Sequence, residues 1–260
     1  MRIPLYQIDA FTDRVFAGNP AAVCPLDAWL DDATMQAIAA ENNLSETAFF
    51  VPQGPDFGLR WFTPKVEVDL CGHATLATGW LILTRLEPQR SDVTFHSRSG
   101  ALKVARQGAR FALDFPSRPA KPATPPAALL AALGGDPADV LLSTGNYLAV
   151  FRSADDVRAL KPDFAALARI ENYGVIVSAP GEGDVDFVSR YFAAWHGIDE
   201  DPVTGAAHCV LTPHWAKRLG KRALHARQIS ARGGELWCEE RGARVSIAGH
   251  CAFYMEGAVQ

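Results

Sequence analysis

No run of lysine and arginine occurs in the 260 residues, and the net charge of −4 gives nucleic acid or an anionic membrane surface little to hold. No segment reaches the ~20 consecutive apolar residues that a membrane-spanning helix needs. The opening Met1-Arg2-Ile3-Pro4-Leu5-Tyr6-Gln7-Ile8-Asp9 is too short and too polar in its apolar run to read as a secretory leader. Cysteines are five in number, an odd count without CxxC spacing, which suits reduced thiols in a cytoplasm better than a disulfide framework. Neither GxGxxG nor GxxxxGK[ST] is present, so no nucleotide loop is expected. Cys71/His73 and His208/Cys209 lack the paired spacings of zinc ligands, and no metal is expected. What remains is an ordinary globular composition, 48% apolar and 21% charged, in a chain long enough for one large or two small domains.

The most informative stretch runs from Val66 to Leu83. Val66-Glu67-Val68-Asp69-Leu70 alternates apolar and acidic residues, the period of a strand with one buried face. Gly72 breaks that period. Ala74, Leu76, Ala77, Trp80, Leu81, Leu83 and Leu86 then recur at helical spacing, and no charge stands between Asp69 and Arg85. A helix apolar almost all round is wrapped by other structure. Gly72 leaves the first-turn N–H groups approachable, which makes the helix entrance a site for a carboxylate or phosphate, and His73 stands there.

Strands are predicted at Leu5–Phe11, Ala21–Pro25, Glu46–Val51, Gly58–Pro64, Val93–Ser97, Ala101–Ala105 and Arg110–Phe115, with an amphipathic helix over Asp31–Glu41. Residues 116–126 hold five prolines and predict a connector, since each proline removes a donor and fixes φ. The second half repeats the plan. Short helices and strands lead to Asp201-Pro202-Val203-Thr204-Gly205-Ala206-Ala207-His208, after which no charge appears until Lys217. The expected fold is α+β: two similar domains, 1–116 and 127–260 about a connector at 117–126, each a mixed or antiparallel sheet around a buried helix. The last strand is the one element that could pack on the first domain.

Three residues stand out chemically. Asp201-Pro202 has the form of a helix start, with Asp as cap and Pro at the first helical position. Asp201 is then either a cap alone or part of an anion-facing mouth with Thr204, Gly205 and Ala206. Glu46 follows Asn43-Leu44-Ser45 and precedes Ala48-Phe49-Phe50. It is either a solvated loop carboxylate or one desolvated enough to exchange protons near neutral pH. His73 is either a helix-start hydrogen-bonding residue or a catalyst.

Gly18-Asn19-Pro20-Ala21-Ala22-Val23, Asn43-Leu44-Ser45-Glu46-Thr47, Asp69-Leu70-Cys71-Gly72-His73-Ala74-Thr75 and Glu200-Asp201-Pro202-Val203-Thr204-Gly205 occur in that order across nearly the whole chain. Together they resemble the phenazine-biosynthesis PhzF-like family of the diaminopimelate epimerase-like superfamily. The resemblance implies two domains with the active site in the cleft between them. It also implies a cofactor-independent, generally dimeric isomerase acting on a small carboxylate. On it, Glu46 is the acid/base, and His73 and Asp201 assist the proton and orient the substrate. Gly72, Gly205 and Thr204 hold the substrate carboxylate, and Asn19 lines the pocket. Where the family often has Ser after Thr-Gly, this chain has Ala206, which weakens the inference to the phenazine precursor as substrate. Superfamily epimerases use a cysteine from each domain. Cys71 matches the first position, but Cys209 lies eight residues beyond Asp201, about two helical turns from the mouth. A two-base racemase and a binding or sensor module remain the alternatives to a one-carboxylate isomerase.

Overall fold

The computed structural model describes residues 2–170 and 173–260. The chain forms two compact units, Met1–Asp114 with Ala248–Gln260, and Phe115–Ile247. The elements up to the unit boundary are β1 (Ile3–Ala10), β2 (Asn19–Pro25), α1 (Asp32–Asn42), β3 (Glu46–Gln53), β4 (Asp56–Phe62), β5 (Glu67–Val68), α2 (Gly72–Leu81), β6 (Asp92–Ser97), β7 (Gly100–Gln107) and β8 (Arg110–Pro116). Next come β9 (Lys121–Pro122), α3 (Ala127–Leu133), β10 (Asp139–Ser143), β11 (Asn146–Val150), α4 (Ala154–Ala159) and α5 (Phe164–Leu167). The chain closes with β12 (Gly174–Pro180), β13 (Phe187–Ala193), β14 (Ile198–Asp201), α6 (Gly205–Leu219), β15 (Ala223–Gln228), β16 (Gly234–Arg241), β17 (Arg244–Gly249) and β18 (Cys251–Val259). No helix among the described residues is long and apolar enough to cross a membrane.

In the first unit the strands run β18-β1-β2-β3-β4-β6-β7-β8, parallel at β2–β3 and β4–β6 and antiparallel elsewhere. Helix α2 touches β1, β2, β3, β7 and β18, so the sheet curls around it. Residues His73–Gly79 and Leu81 are buried, as a helix apolar on every face requires. Gly79 permits the closest approach, since a Cβ there would lie 2.6 Å from the Val104 side chain on β7. The expected helix continues past α2, but over Ile82–Leu86 its turn widens to a π-turn, closed by Glu87 N–H donating to the Ile82 carbonyl at 2.7 Å.

The second unit repeats this topology. Strands β10–β11 are antiparallel, β11–β12 parallel, β12–β13 antiparallel, β13–β15 parallel and β15–β16 antiparallel, matching β1–β2, β2–β3, β3–β4, β4–β6 and β6–β7. In each unit a short strand, β5 or β14, pairs antiparallel beside this path and leads into the buried helix. Both short strands are anchored alike. Arg60 grips Glu67 through Nε and Nη2 at 2.7 and 2.8 Å, and Arg190 grips Glu200 at 2.8 and 2.9 Å. Two-pronged pairs of this kind fix direction as well as distance. Trp215 secures α6: it stacks on Phe187 with ring centres 5.7 Å apart, and its Nε1–H donates to Ser178 Oγ at 2.9 Å.

Two expectations need revision. Helix α6 begins at Gly205 with Thr204 at the cap position, whereas Asp201 ends β14, so Asp201-Pro202 is not the helix start. The strand pairing of Asp201 with Tyr191 holds the aspartate in extended backbone three residues too early. The proline-rich stretch, in turn, is stitched to the second unit. Ser117, Arg118 and Ala123 N–H groups donate to the carbonyls of Ala243, Cys209 and Val140, and β9 pairs with β10. Proline tolerates such an edge position because it loses only a donor there.

His208 sits one turn into α6 with no exposed surface, its Nδ1 2.8 Å from the Thr204 carbonyl. Burial pushes its pKa down to about 4, outweighing that hydrogen bond. A histidine depressed below its unfolded value of about 6.5 favours the fold above that pH, and the contribution fades as pH falls toward 4. Urea unfolding at pH 7.5 and pH 5.0 should therefore differ by about 2 kcal/mol from this side chain. His208→Gln should remove that share of the difference. An unchanged pH dependence in the variant would show that the imidazole is not held neutral.

Candidate active site

Three element starts meet in the first unit. Strands β2 and β3 run parallel with Ala21 opposite Glu46, so Asn19 and Glu46 lie at the same end of adjacent strands, and α2 packs on both. The entry to β2 is tightly built. Asp9 is 2% exposed and accepts the Phe16 N–H at 2.9 Å, drawing in the loop before Asn19. Gly18 takes φ 64°, and a Cβ there would lie 2.2 Å from the Ala10 carbonyl oxygen, so only glycine fits.

His73 is the hub of this set. Its Nδ1 lies 3.2 Å from Asn19 Nδ2 and 3.5 Å from Cys71 Sγ, and its Nε2 lies 3.2 Å from Glu46 Oε2. His73 is 4% exposed, and burial pushes its pKa down to about 3 against the opposing pull of a hydrogen bond to the Pro20 carbonyl. The ring is therefore neutral, and its contact with Glu46 is a polar contact, not an ion pair. Glu46 opens β3 and keeps 14% of its side chain exposed, which leaves the carboxylate reachable. Cys71 at the cap position of α2 makes no side-chain cap hydrogen bond, which leaves the first-turn N–H groups of Gly72, His73 and Ala74 without that partner.

Glu46, Cys71 and His73 each offer one ligand atom, all within 4.8 Å of one another. This is a thiol, imidazole and carboxylate set that suits a divalent transition metal. Cys71 and Glu46, however, sit against different nitrogens of the same ring. That places the imidazole between them as a bridge, an order suited to proton traffic and poorly suited to ligands converging on one ion.

The second unit gathers the other predicted residues. Thr204 Oγ1 makes a very short hydrogen bond to Asp201 Oδ2. The turn is clamped by Gln228 on β15, a residue without exposed surface. Its Oε1 accepts the Thr204 N–H at 2.9 Å, and its Nε2 donates to the Asp201 carbonyl at 2.8 Å and to Thr204 Oγ1 at 3.2 Å. Ser230 Oγ donates to the Pro202 carbonyl at 2.7 Å. Burial, reinforced by the Asp201 charge, pushes the Tyr191 pKa up to about 12. Helix α6 also starts without a side-chain cap, so Gly205, Ala206 and Ala207 present their N–H groups as Gly72 does. Cys209 is buried with its pKa pushed up to about 12 by that burial, and its Sγ lies 3.7 Å from the Gly205 carbonyl.

Sequence reading passed over Gln228 and the proximity of Cys71 to His73. A lone glutamine at a strand end carries no motif signal. Cys71, by contrast, stands two residues before His73, and the extended backbone of a cap position leaves both side chains able to turn to one side.

The model of the phenazine biosynthesis-like protein family (PhzC-PhzF) matches residues 8–257. The chain belongs to this PhzF-like family. It is 52% identical over 259 residues to an uncharacterized isomerase of Pseudomonas aeruginosa, covering 100% of this chain and 99% of that one. The crystal structure of a PhzF-family protein from Enterococcus faecalis superposes with TM-score 0.96 at 44% identity, covering all of both chains. A hydroxyproline epimerase from Agrobacterium vitis shares the fold at TM-score 0.64 and 10% identity, over 99% of this chain and 91% of that one. This PhzF-like protein is thus an isomerase with the diaminopimelate epimerase-like fold.

The role of Gln228 can be read from stability. Gln228→Leu keeps the volume and strands the buried Thr204 N–H and Asp201 carbonyl, each worth about 1–3 kcal/mol when unsatisfied. Denaturant unfolding should show a loss of about 3 kcal/mol. A loss below about 1 kcal/mol would mean the turn holds its shape without the clamp.

Proposed function

We propose that this protein is a cofactor-independent isomerase that moves a proton between two carbons of a small carboxylate-bearing substrate, with Glu46 as the acid/base. The observation that carries this reading is the Glu46 carboxylate 3.2 Å from the Nε2 of a buried neutral histidine at an uncapped helix start. In the reaction a C–H bond breaks, its proton passes to Glu46 and the electron pair spreads into the substrate's conjugated system. Glu46 then returns the proton to a second carbon on the same face. A neutral His73 lies against the carboxylate without competing for the substrate's proton, because its own basicity is suppressed. The free N–H groups at the start of α2 suit the substrate carboxylate.

The likeness of Asp201-Pro202-Val203-Thr204-Gly205 to the family's motif supports a part for Asp201, Thr204, Gly205 and Ala206 in orienting the substrate's polar atoms. Two-thiol inversion has less support. The second unit carries Thr204 at the cap position where the first has Cys71, and its nearest thiol, Cys209, is buried and protonated.

The test is solvent-deuterium incorporation. Wild-type protein is incubated in D2O with a panel of small unsaturated and cyclic carboxylic acids, and incorporation is read by mass spectrometry. Glu46→Gln, nearly isosteric, should lower exchange into any responsive compound by at least ~10²-fold, the usual worth of a general acid/base, while binding stays measurable. Full exchange by that variant would remove Glu46 from the mechanism. Saturable binding by wild-type protein without any incorporation would favour a binding or sensor role.

A further inference from the structure

We propose that His208 is a positioning residue for the start of α6: its ring proton, carried on Nδ1, holds the Thr204 carbonyl and so fixes the peptide that presents the Gly205 N–H. The His208 Nδ1 lies 2.8 Å from the Thr204 carbonyl oxygen. A carbonyl oxygen can only accept, so the proton of this contact belongs to Nδ1. The other ring nitrogen gives the same answer. Nε2 is buried and, among the described residues, has no hydrogen-bond partner. A proton moved there would become a stranded N–H, and the bare Nδ1 lone pair would face the carbonyl oxygen. Burial keeps the ring neutral, so it carries that one proton and no second. The ring is also steadied from its face. Phe187 packs against it with ring centres 5.8 Å apart, and Phe187 is itself stacked on Trp215.

Thr204 is thereby gripped at each of its polar groups. Its N–H donates to Gln228 Oε1, its hydroxyl is shared between Asp201 and Gln228, and its carbonyl takes the His208 proton. Of these partners His208 is the one inside α6, a single turn further on. A trans peptide is planar, with its C=O and N–H pointing opposite ways. A Thr204 carbonyl turned along the helix toward His208 therefore aims the Gly205 N–H out of the helix start, where first-turn N–H groups have no partner within the helix. The part this gives His208 in substrate binding rests on the reading of Gly205 as a group that orients the substrate, whereas the ring assignment does not depend on it.

The full chain labelled with ¹⁵N-histidine reports the ring directly by two-bond ¹H–¹⁵N correlation, with His208→Asn identifying the signal. At pH 7 the wild-type His208 Nδ1 should resonate as a protonated nitrogen and Nε2 as a bare one. The reverse pattern, or an averaged pair, overturns the proposal without any substrate. Two variants then separate positioning from packing. His208→Asn keeps an amide N–H close to the place of Nδ1, whereas His208→Leu removes the donor. In the deuterium assay His208→Leu should raise the KM of a responsive acid by ~10-fold with kcat changed less than about threefold, the pattern of lost binding shared by ground and transition states. His208→Asn should bring KM back to within about threefold of wild type. If wild-type protein binds an acid without exchanging it, the same comparison is read from Kd. A purely structural role would lower the melting temperature of both variants and leave KM or Kd unmoved, and that result overturns the proposal. An equal rise in both variants also overturns it, because the donor would then not be what matters. If Glu46→Gln retains exchange, the acid/base reading fails while the ring signals and the comparison of the two His208 variants still decide this proposal.

Discussion

The constraint on which this molecule depends is a helix start left uncapped inside a protein. Helix ends normally recruit Ser, Thr, Asp or Asn to satisfy their first N–H groups, and leaving them open costs about 1 kcal/mol each time. Here both buried helices, α2 and α6, begin without a capping hydrogen bond from the side chain at that position, Cys71 in one and Thr204 in the other. Each start is instead held from behind. A short strand leads into it, and that strand is fixed by a two-pronged arginine–glutamate pair, Arg60 with Glu67 and Arg190 with Glu200. Rigidity comes from the approach to the helix, so the N–H groups themselves stay free for something else.

The two units share a strand plan yet differ where chemistry would occur. The cap position holds Cys71 in one and Thr204 in the other, and the residue after the first helical glycine is His73 in one and Ala206 in the other. Strand β3 opens on Glu46, whereas its counterpart β12 opens on Gly174, where a Cβ would lie 2.2 Å from Tyr191 Oη. Among the described residues the duplicated frame therefore carries the cluster of Glu46, Cys71 and His73 once. Its second copy keeps the open helix start and fills the place of the carboxylate with a tyrosine whose proton is firmly held. That asymmetry is what the proposed single-carboxylate chemistry requires, because inversion by two bases would need a reactive group in both copies.

Much of this was legible in the sequence, and the parts that were not share a cause. The uncharged helices were readable because a missing charge over fifteen residues has one common explanation, complete burial. Glu46 and His73 were readable as candidates because a glycine at a helix entrance and a carboxylate at the start of an apolar strand are local signals. The start of α6 was misread by three residues. Asp-Pro is a good helix opening in isolation, but pairing of Asp201 with Tyr191 and the hold of Gln228 on Thr204 come from neighbouring strands rather than from the segment itself. The same holds for the arginine–glutamate anchors, the close approach of Gly79 to Val104, and the stitching of the proline-rich stretch to its unit. Local chemistry predicts local structure, and the residues that were missed act across the sheet.

A neutral imidazole is the natural partner for a carboxylate that must gain and lose a proton. In a buried setting a charged histidine would bind Glu46 as an ion pair and hold it in one protonation state, since the attraction between full charges rises steeply as the dielectric falls. Desolvation prevents this by suppressing the charge on His73, and it does the same for His208 in the second unit. The surface left to Glu46 completes the logic: it is the member of the set that keeps contact with the outside, and its partners His73 and Asn19 are sealed behind it. On the proposed chemistry a substrate reaching this point meets the carboxylate first and the dipole of α2 beside it.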